Sequence, residues 1–396
     1  MAISRLGVEG YKSLKSVVWN PGALNVLIGP NGSGKSNLLR SFALIQQAVV
    51  SQDFPKAILQ QGGLRNLLWD GQSKEIRWRL ISEPLGLPRR SQQKPLLMYE
   101  LAIEPSYFLA SGYMITTERL RECYNTDKNW EFEILLDRDR KKTAFFDQSK
   151  GEFTTLPEPL PLDQTMLALS PFSNHTMWLF RSSIEGWGIY HDLQVHQGAQ
   201  IRQAAIARVE KQISADGQNL IPVLHTLYTG DREFKRVLDD AMKSAFGSEY
   251  EELVFPPAED RKINLRVRWR SLKTEQSAAD LSDGTIRFLL LVTILANSSS
   301  GQLVAIDEPE VGLHPSMFPI IAEFAVAAAE TRTVIFTTHS PQFLDAFGEN
   351  VPATTVTRLV DGATQLSLLK GERLTHWLKD FTLGALFKSG ELEEMD

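Results

Sequence analysis

Gly29-Pro30-Asn31-Gly32-Ser33-Gly34-Lys35-Ser36 follows a short apolar run, Leu24 to Ile28, and leads into Ser36-Asn37-Leu38-Leu39-Arg40, where a helical pattern begins. Strand, glycine-rich turn and helix in that order fit the spacing G-x-x-x-x-G-K-[S/T]. Glycines let a backbone wrap an anion, so that successive N–H groups and the helix N-terminus point at negative charge. Residues 29 to 37, ending at Asn37, are therefore expected to hold a phosphate chain. Lys35 would reach its outer phosphates and Ser36 would ligate Mg2+.

Three later segments read in the same light. Leu303-Val304-Ala305-Ile306-Asp307-Glu308 is an apolar strand ending in two carboxylates, which would be costly to bury without a cation or hydrogen bonds. Asp307 is placed to hold Mg2+ through its water shell, leaving Glu308 to orient and polarise an attacking water. Val334-Ile335-Phe336-Thr337-Thr338-His339-Ser340 is another buried strand with a polar end, and its His339 can donate to a terminal phosphate. Leu281-Ser282-Asp283-Gly284-Thr285 precedes an apolar helix: Ser282 or Asp283 suits the N-cap, and Gly284 permits close backbone approach.

Taken together, a Walker A loop, a signature at Ser282 and Gly284, a Walker B pair and a switch histidine resemble the ATPases of the ABC class. Asp307-Glu308-Pro309-Glu310-Val311-Gly312-Leu313-His314-Pro315 and Thr338-His339-Ser340-Pro341 narrow the resemblance to AAA-domain-containing ATPases related to RecF, SMC and the OLD family. Gly10-Tyr11-Lys12-Ser13-Leu14, Asp216-Gly217-Gln218-Asn219-Leu220 and the ending Leu383 to Leu392 are similar as well, so the likeness spans nearly the whole chain. It implies ATP and Mg2+ as ligands, Lys35, Glu308 and His339 as catalytic residues, and a head-to-head homodimer in which one subunit's signature closes on the other's ATP. His314 departs from the aspartate that transporter-type cassettes carry there. Gln164 is a candidate Q-loop residue, with Gln46 and Gln47 in the helix after the phosphate loop, and Arg65 resembles an arginine that SMC-like heads bring near the nucleotide.

The fold class expected is α/β, a P-loop NTPase of ABC/SMC-head type with an antiparallel β lobe and an inserted helical region. Residues 1–73 and 272–396 would form the two parts of the ATPase core. Short alternating segments between Ile76 and Phe146 suggest an antiparallel meander within 74–160, closed by Pro157, Pro159 and Pro161. Residues 161–271 read as mainly helical, with Ile201 to Ile213 and Leu220 to Phe246 holding most of it, and end in a basic strand.

At about 150 residues per domain, 396 residues fit two or three units. With 42 Lys and Arg against 48 Asp and Glu, the net charge of −6 gives no overall attraction to nucleic acid, so such binding needs a local patch. One exists: Arg266, Arg268 and Arg270 alternate with Val267 and Trp269, which on a strand lines three guanidinium groups along one face. It could meet backbone phosphates of DNA, or it could be a solvated face paired with its neighbour's carboxylates. The single cysteine, Cys123, is expected to be a buried thiol in a reducing compartment. His175, His191, His196, His225 and His376 lack metal-ligand spacing and read as structural or surface residues. The longest apolar stretches, Phe288 to Ala296 and Ala325 to Ala329, are too short for a bilayer, and no signal-peptide apolar region appears, so a cytoplasmic protein with no membrane contact is expected. Two roles follow: hydrolysis that loads or releases the protein on DNA, as in repair, or an ATP-gated scaffold or sensor for a separate nuclease or toxin effector, as in phage defence.

Overall fold

The computed structural model describes residues 2–71, 73–83, 95–125, 130–140, 142–156, 160–169, 174–298, 301–369 and 381–390. Pro157, Pro159, His376 and the acidic residues Glu391, Glu393, Glu394 and Asp396 lie outside them.

A six-stranded sheet carries the motifs. Its order is Gly188–Tyr190, Leu303–Asp307, Thr333–Thr337, Leu24–Ile28, Ala353–Val360 and Ala363–Leu368. The first five strands are parallel and the last is antiparallel. The strand entering the phosphate loop is thus separated from the strand ending in Asp307 by the one that ends before His339, and all three finish on one edge. Each is apolar on both faces because each face is covered. Val26, Val304, Ile306 and Phe336 point into a core shared with the helices Asp283–Ala296 and Phe318–Ala329. Leu27, Leu303, Ala305 and Ile335 point into a second core with the helix Lys35–Val50. Side chains such as Phe288 and Leu39, fully buried, each contribute roughly 1.5–3 kcal/mol.

An eight-stranded antiparallel sheet lies over the second core, in the order Leu14–Trp19, Ala2–Tyr11, Ile76–Glu83, Leu96–Pro105, Tyr113–Asn125, Trp130–Asp139, Thr143–Asp147 and Glu152–Thr155. The expected meander is there, and the first two strands of the chain join it. Its inner face carries Trp78, Leu80, Tyr99 and Leu101 against Phe42 and Ile45. Its outer face is a ladder of ion pairs, Glu9 to Arg79 (2.7 Å), Glu100 to Arg77 (2.6 Å) and Asp137 to Arg119 (2.7 Å), which keeps the face wet and adds little stability. Cys123 is buried here, and burial pushes its thiol up to about 11, which leaves it unreactive.

The helices Leu220–Gly230 and Arg232–Phe246 fall where expected, but Ile201 to Ile213 is not helical. It contains a short 3-10 turn, Gln200–Arg202, and a strand, Ala205–Ile206, paired with Lys262–Ile263. Ile201 gives its N–H to the Gln218 side chain, and the Arg202 guanidinium turns inward, so tertiary bonds override the helical spacing. Among the described residues no helix is long and apolar enough to cross a membrane.

Candidate active site at the phosphate loop

The helix Lys35–Val50 starts with Gly34 at its N-cap and has neither a capping side chain nor an acid in its first turn. Its first N–H groups therefore remain available to an anion. Gly34 has φ +108, and a Cβ there would run into the Thr364 hydroxyl. That hydroxyl donates to Ser33 O (2.8 Å) and meets Ser13 Oγ (2.8 Å), while Ser33 Oγ meets Thr357 Oγ1 (2.5 Å), so two outer strands grip the loop from behind. Asn37 Nδ2 donates to Ser13 Oγ (2.9 Å), and Pro30, Asn31 and Gly32 form the exposed tip.

Lys35 Nζ donates to the carbonyls of Gly29 (2.8 Å) and Pro30 (3.0 Å). Burial pushes its ammonium down to about 8, against the pull of Glu308, Asp307 and Glu310. A polyanion binds the protonated form. Nucleotide affinity is therefore expected to be flat below about pH 7, to fall about twofold by pH 8 and about a further fivefold between pH 8 and 9 as the empty-site ammonium is lost. Titrating a fluorescent ATP analogue across pH 6.5–9.5 checks this, and an affinity independent of pH would contradict it.

Across the sheet edge, Ser36 Oγ donates to Asp307 Oδ1 (3.3 Å), and Thr337 Oγ1 donates to the same oxygen. These hard oxygens converge from two elements and fit Mg2+, which takes one or two protein oxygens and the rest from phosphate and water. Among the described residues there is no cluster of three or more His, Cys, Asp or Glu side chains suited to a dedicated metal centre. Glu308 sits at φ +48, a left-handed conformation that a glutamate adopts only when its surroundings impose it. They do: its N–H is bound by Thr337 O (3.2 Å) and Thr337 Oγ1 (3.1 Å), and its carbonyl accepts from Arg287 Nη2 (2.9 Å). Its carboxylate stands 3.5 Å from His339 Nε2. Burial and the charge of Lys35 hold His339 below the usual histidine range.

Ser282, the N-cap of Asp283–Ala296, accepts from Thr285 N (3.1 Å) and is exposed. A Cβ on Gly284 would come within 2.7 Å of Gly312 O, which explains glycine there. Among the described residues no hydrogen bond or ion pair joins Ser282, Asp283 or Gly284 to the phosphate loop of the same chain.

Four residues of this region escape the sequence reading. Arg202 is buried and binds the carbonyls of Val195 (2.8 Å), Ala278 (3.1 Å) and Leu281 (2.5 Å) and the Asp283 carboxylate, so it fixes the approach to the signature. Arg287 ties the signature helix to Glu308; a charge amid Ile286, Phe288 and Leu289 was its visible signal. Glu310 is half-buried, accepts from His339 N (3.2 Å) and the Thr338 hydroxyl, and among the described residues its Oε2 has no partner; burial raises its carboxyl. His191, read from sequence as structural or surface, follows the strand Gly188–Tyr190, whose Tyr190 is level with Ile306, so it stands beside the end of the Asp307 strand. Gln164 is held on the β lobe, where its carbonyl accepts from Arg138 (2.6 Å), and Gln46 binds the carbonyls of Ile184, Glu185 and Trp187. Arg65 bonds the Tyr107 hydroxyl and stacks 5.1 Å from its ring, while His314 caps the turn at Ser316 (3.3 Å).

The basic strand needs correction. Arg268 pairs with Glu252 and with Glu275 (2.7 Å), Arg270 lies 3.8 Å from Glu251, and Arg266 stands level with Val254. The neighbouring strand Tyr250–Val254 supplies two of the carboxylates, so the arginine face proposed for DNA is largely neutralised by its own sheet.

A family model described as "AAA domain, putative AbiEii toxin, Type IV TA system" matches residues 24–345. No curated protein matches the chain. Among solved structures, an Smc head bound to the C-winged helix domain of ScpA is similar at a TM-score of 0.54 and 15% identity, with 95% of this chain and 100% of that one covered. The Smc head domain with an extended coiled coil from Pyrococcus furiosus, bound to the C-terminal domain of ScpA, gives 0.54 and 13%, covering 96% and 99%. At these identities the likeness is one of fold.

Proposed function

The chain belongs to this AAA-domain family, an ATPase class with an ABC/SMC-head-like core, and from that premise we propose that it hydrolyses ATP with Mg2+ and pairs head to head with a second copy while ATP is held. The observation that carries this reading is the convergence of Lys35, Ser36, Asp307, Glu308 and His339 on one sheet edge. Ser36 and Asp307 would hold Mg2+, which when bound neutralises phosphate charge. Lys35 leaves the carbonyls of Gly29 and Pro30 for the outer phosphates, and the uncapped N–H groups after Gly34 bind the phosphate chain. Glu308 orients the water and accepts its proton, with His339 donating to the terminal phosphate. Exposed Ser282 and half-buried Gly284, at a helix N-terminus and unattached to their own loop, suit the γ phosphate of a partner's ATP.

The test is phosphate release from ATP with Mg2+, expected to vanish with EDTA and in Lys35→Ala. A wild-type protein that releases none would sink the reading.

As to biological role, action on DNA as in repair draws support from the Smc-like fold, while the pairing of Arg268 and Arg270 with carboxylates weakens the Arg266 to Arg270 strand as its contact surface. The second reading, an ATP-gated subunit for a separately encoded effector in phage defence, is favoured by the toxin and toxin–antitoxin wording of the family description. Stable co-purification with a product of a neighbouring gene, and no salt-dependent DNA binding, would select it.

A further inference from the structure

A cavity of about 530 Å3 opens beside the helix Lys35–Val50, and no residue of the phosphate loop lines it. Lys12, Arg40 and His191 converge on it, and Gln47, Gln60 and Gln61 add three side-chain amides. Arg40 stands one helical turn after Ser36 and on the same face, and His191 follows the strand beside Asp307. The cavity therefore adjoins the metal side of the ATP site without being part of it.

Its charges are not balanced from within. Among the described residues neither the Lys12 ammonium nor the Arg40 guanidinium has a hydrogen bond or ion pair, and the three amides have none either. The Lys12 ammonium lies 5.7 Å from the centre of the Tyr11 ring. The one carboxylate in the lining, Asp192, is exposed and accepts from Gln194 Nε2 (3.1 Å). Burial and the neighbouring Arg40 push the Lys12 ammonium down. Lys12 also holds a left-handed backbone, φ +47, that lysine rarely adopts. Cations kept together in a half-buried hollow at this cost call for an anion from outside.

We propose that this cavity binds a phosphate group belonging to a ligand other than the hydrolysed ATP. Phosphate, rather than carboxylate, matches the donors present: a guanidinium fork, an ammonium and up to three amide NH2 groups exceed what two carboxylate oxygens can accept. A polynucleotide backbone and a free phosphate ester share this chemistry. The site goes beyond the ATPase reading and can be tested with the ATP site disabled.

The full chain carrying Lys35→Ala is titrated with fluorescein-labelled dT15 by anisotropy at 50 mM salt, and with inorganic phosphate by calorimetry. At least one probe is expected to bind. Adding Arg40→Glu should weaken it at least about tenfold, Arg40→Lys, which keeps the charge and loses the fork, should weaken it less, and for dT15 the salt slope should fall by about one in Arg40→Glu. Binding of dT15 that phosphate competes away only weakly assigns a polynucleotide; tight phosphate binding without dT15 assigns a small ester. If neither probe binds, or if Arg40→Glu leaves binding unchanged, the proposal fails. Thermal unfolding of each variant, with Arg40→Gln as the milder substitute, separates lost contact from lost fold.

Discussion

Glu308→Gln is expected to lower ATP turnover about 100-fold or more, roughly 2.7 kcal/mol of barrier, while ATP binding survives and an ATP-bound dimer accumulates. The amide has the shape of the carboxylate and can still orient a water, but it cannot take the proton. The backbone that presents it should not move, because Thr337 holds its N–H and Arg287 its carbonyl, and neither bond involves the replaced atoms. The loss then falls on chemistry and not on position. Phosphate release measures the first effect and light scattering with ATP the second. Turnover within threefold of wild type would remove Glu308 from its role, and a variant that binds ATP yet stays monomeric would remove the dimer from the cycle.

How much of this was legible in the sequence depended on how local each feature is. The phosphate loop, Asp307-Glu308 and His339 are read from neighbours in the chain, since each is a strand end or a turn with its own spacing, and the structure brings them together as expected. The roles of Arg202 and Arg287 are not local. Arg202 reaches Asp283 across 81 positions and Arg287 reaches Glu308 across 21, and no pattern in either segment announces the partner. The basic strand was half legible for the same reason: its alternation was visible, but the choice between a phosphate-binding face and one paired with its neighbour depended on the register that sets Glu252 opposite Arg268. The stretch after Ile201 failed differently. Its spacing suited a helix, but a buried guanidinium with four acceptors outweighs the few tenths of a kcal/mol that helix propensity offers per residue.

The second large effect is one of complementation. Lys35→Ala and Ser282→Asp are each expected to abolish most ATP turnover, yet an equal mixture of the two should recover about a quarter of the wild-type rate. A two-fold dimer has two composite sites, each built from one subunit's phosphate loop and the other's signature. Half the dimers in the mixture are hybrids, and each hybrid has one site with both Lys35 and Ser282 intact. Aspartate is chosen at position 282 because it is as good an N-cap as serine, so Thr285 N keeps its acceptor and the helix Asp283–Ala296 keeps its start. What it adds is a negative charge where the signature would meet the γ phosphate. The Lys35→Ala subunit supplies the signature and the Ser282→Asp subunit the loop, so recovery requires that the two act across a subunit boundary. A mixture as inactive as its parents, with both variants folded, would mean that Ser282 serves its own subunit or only its own helix. A fully active Ser282→Asp would remove the signature from the site altogether.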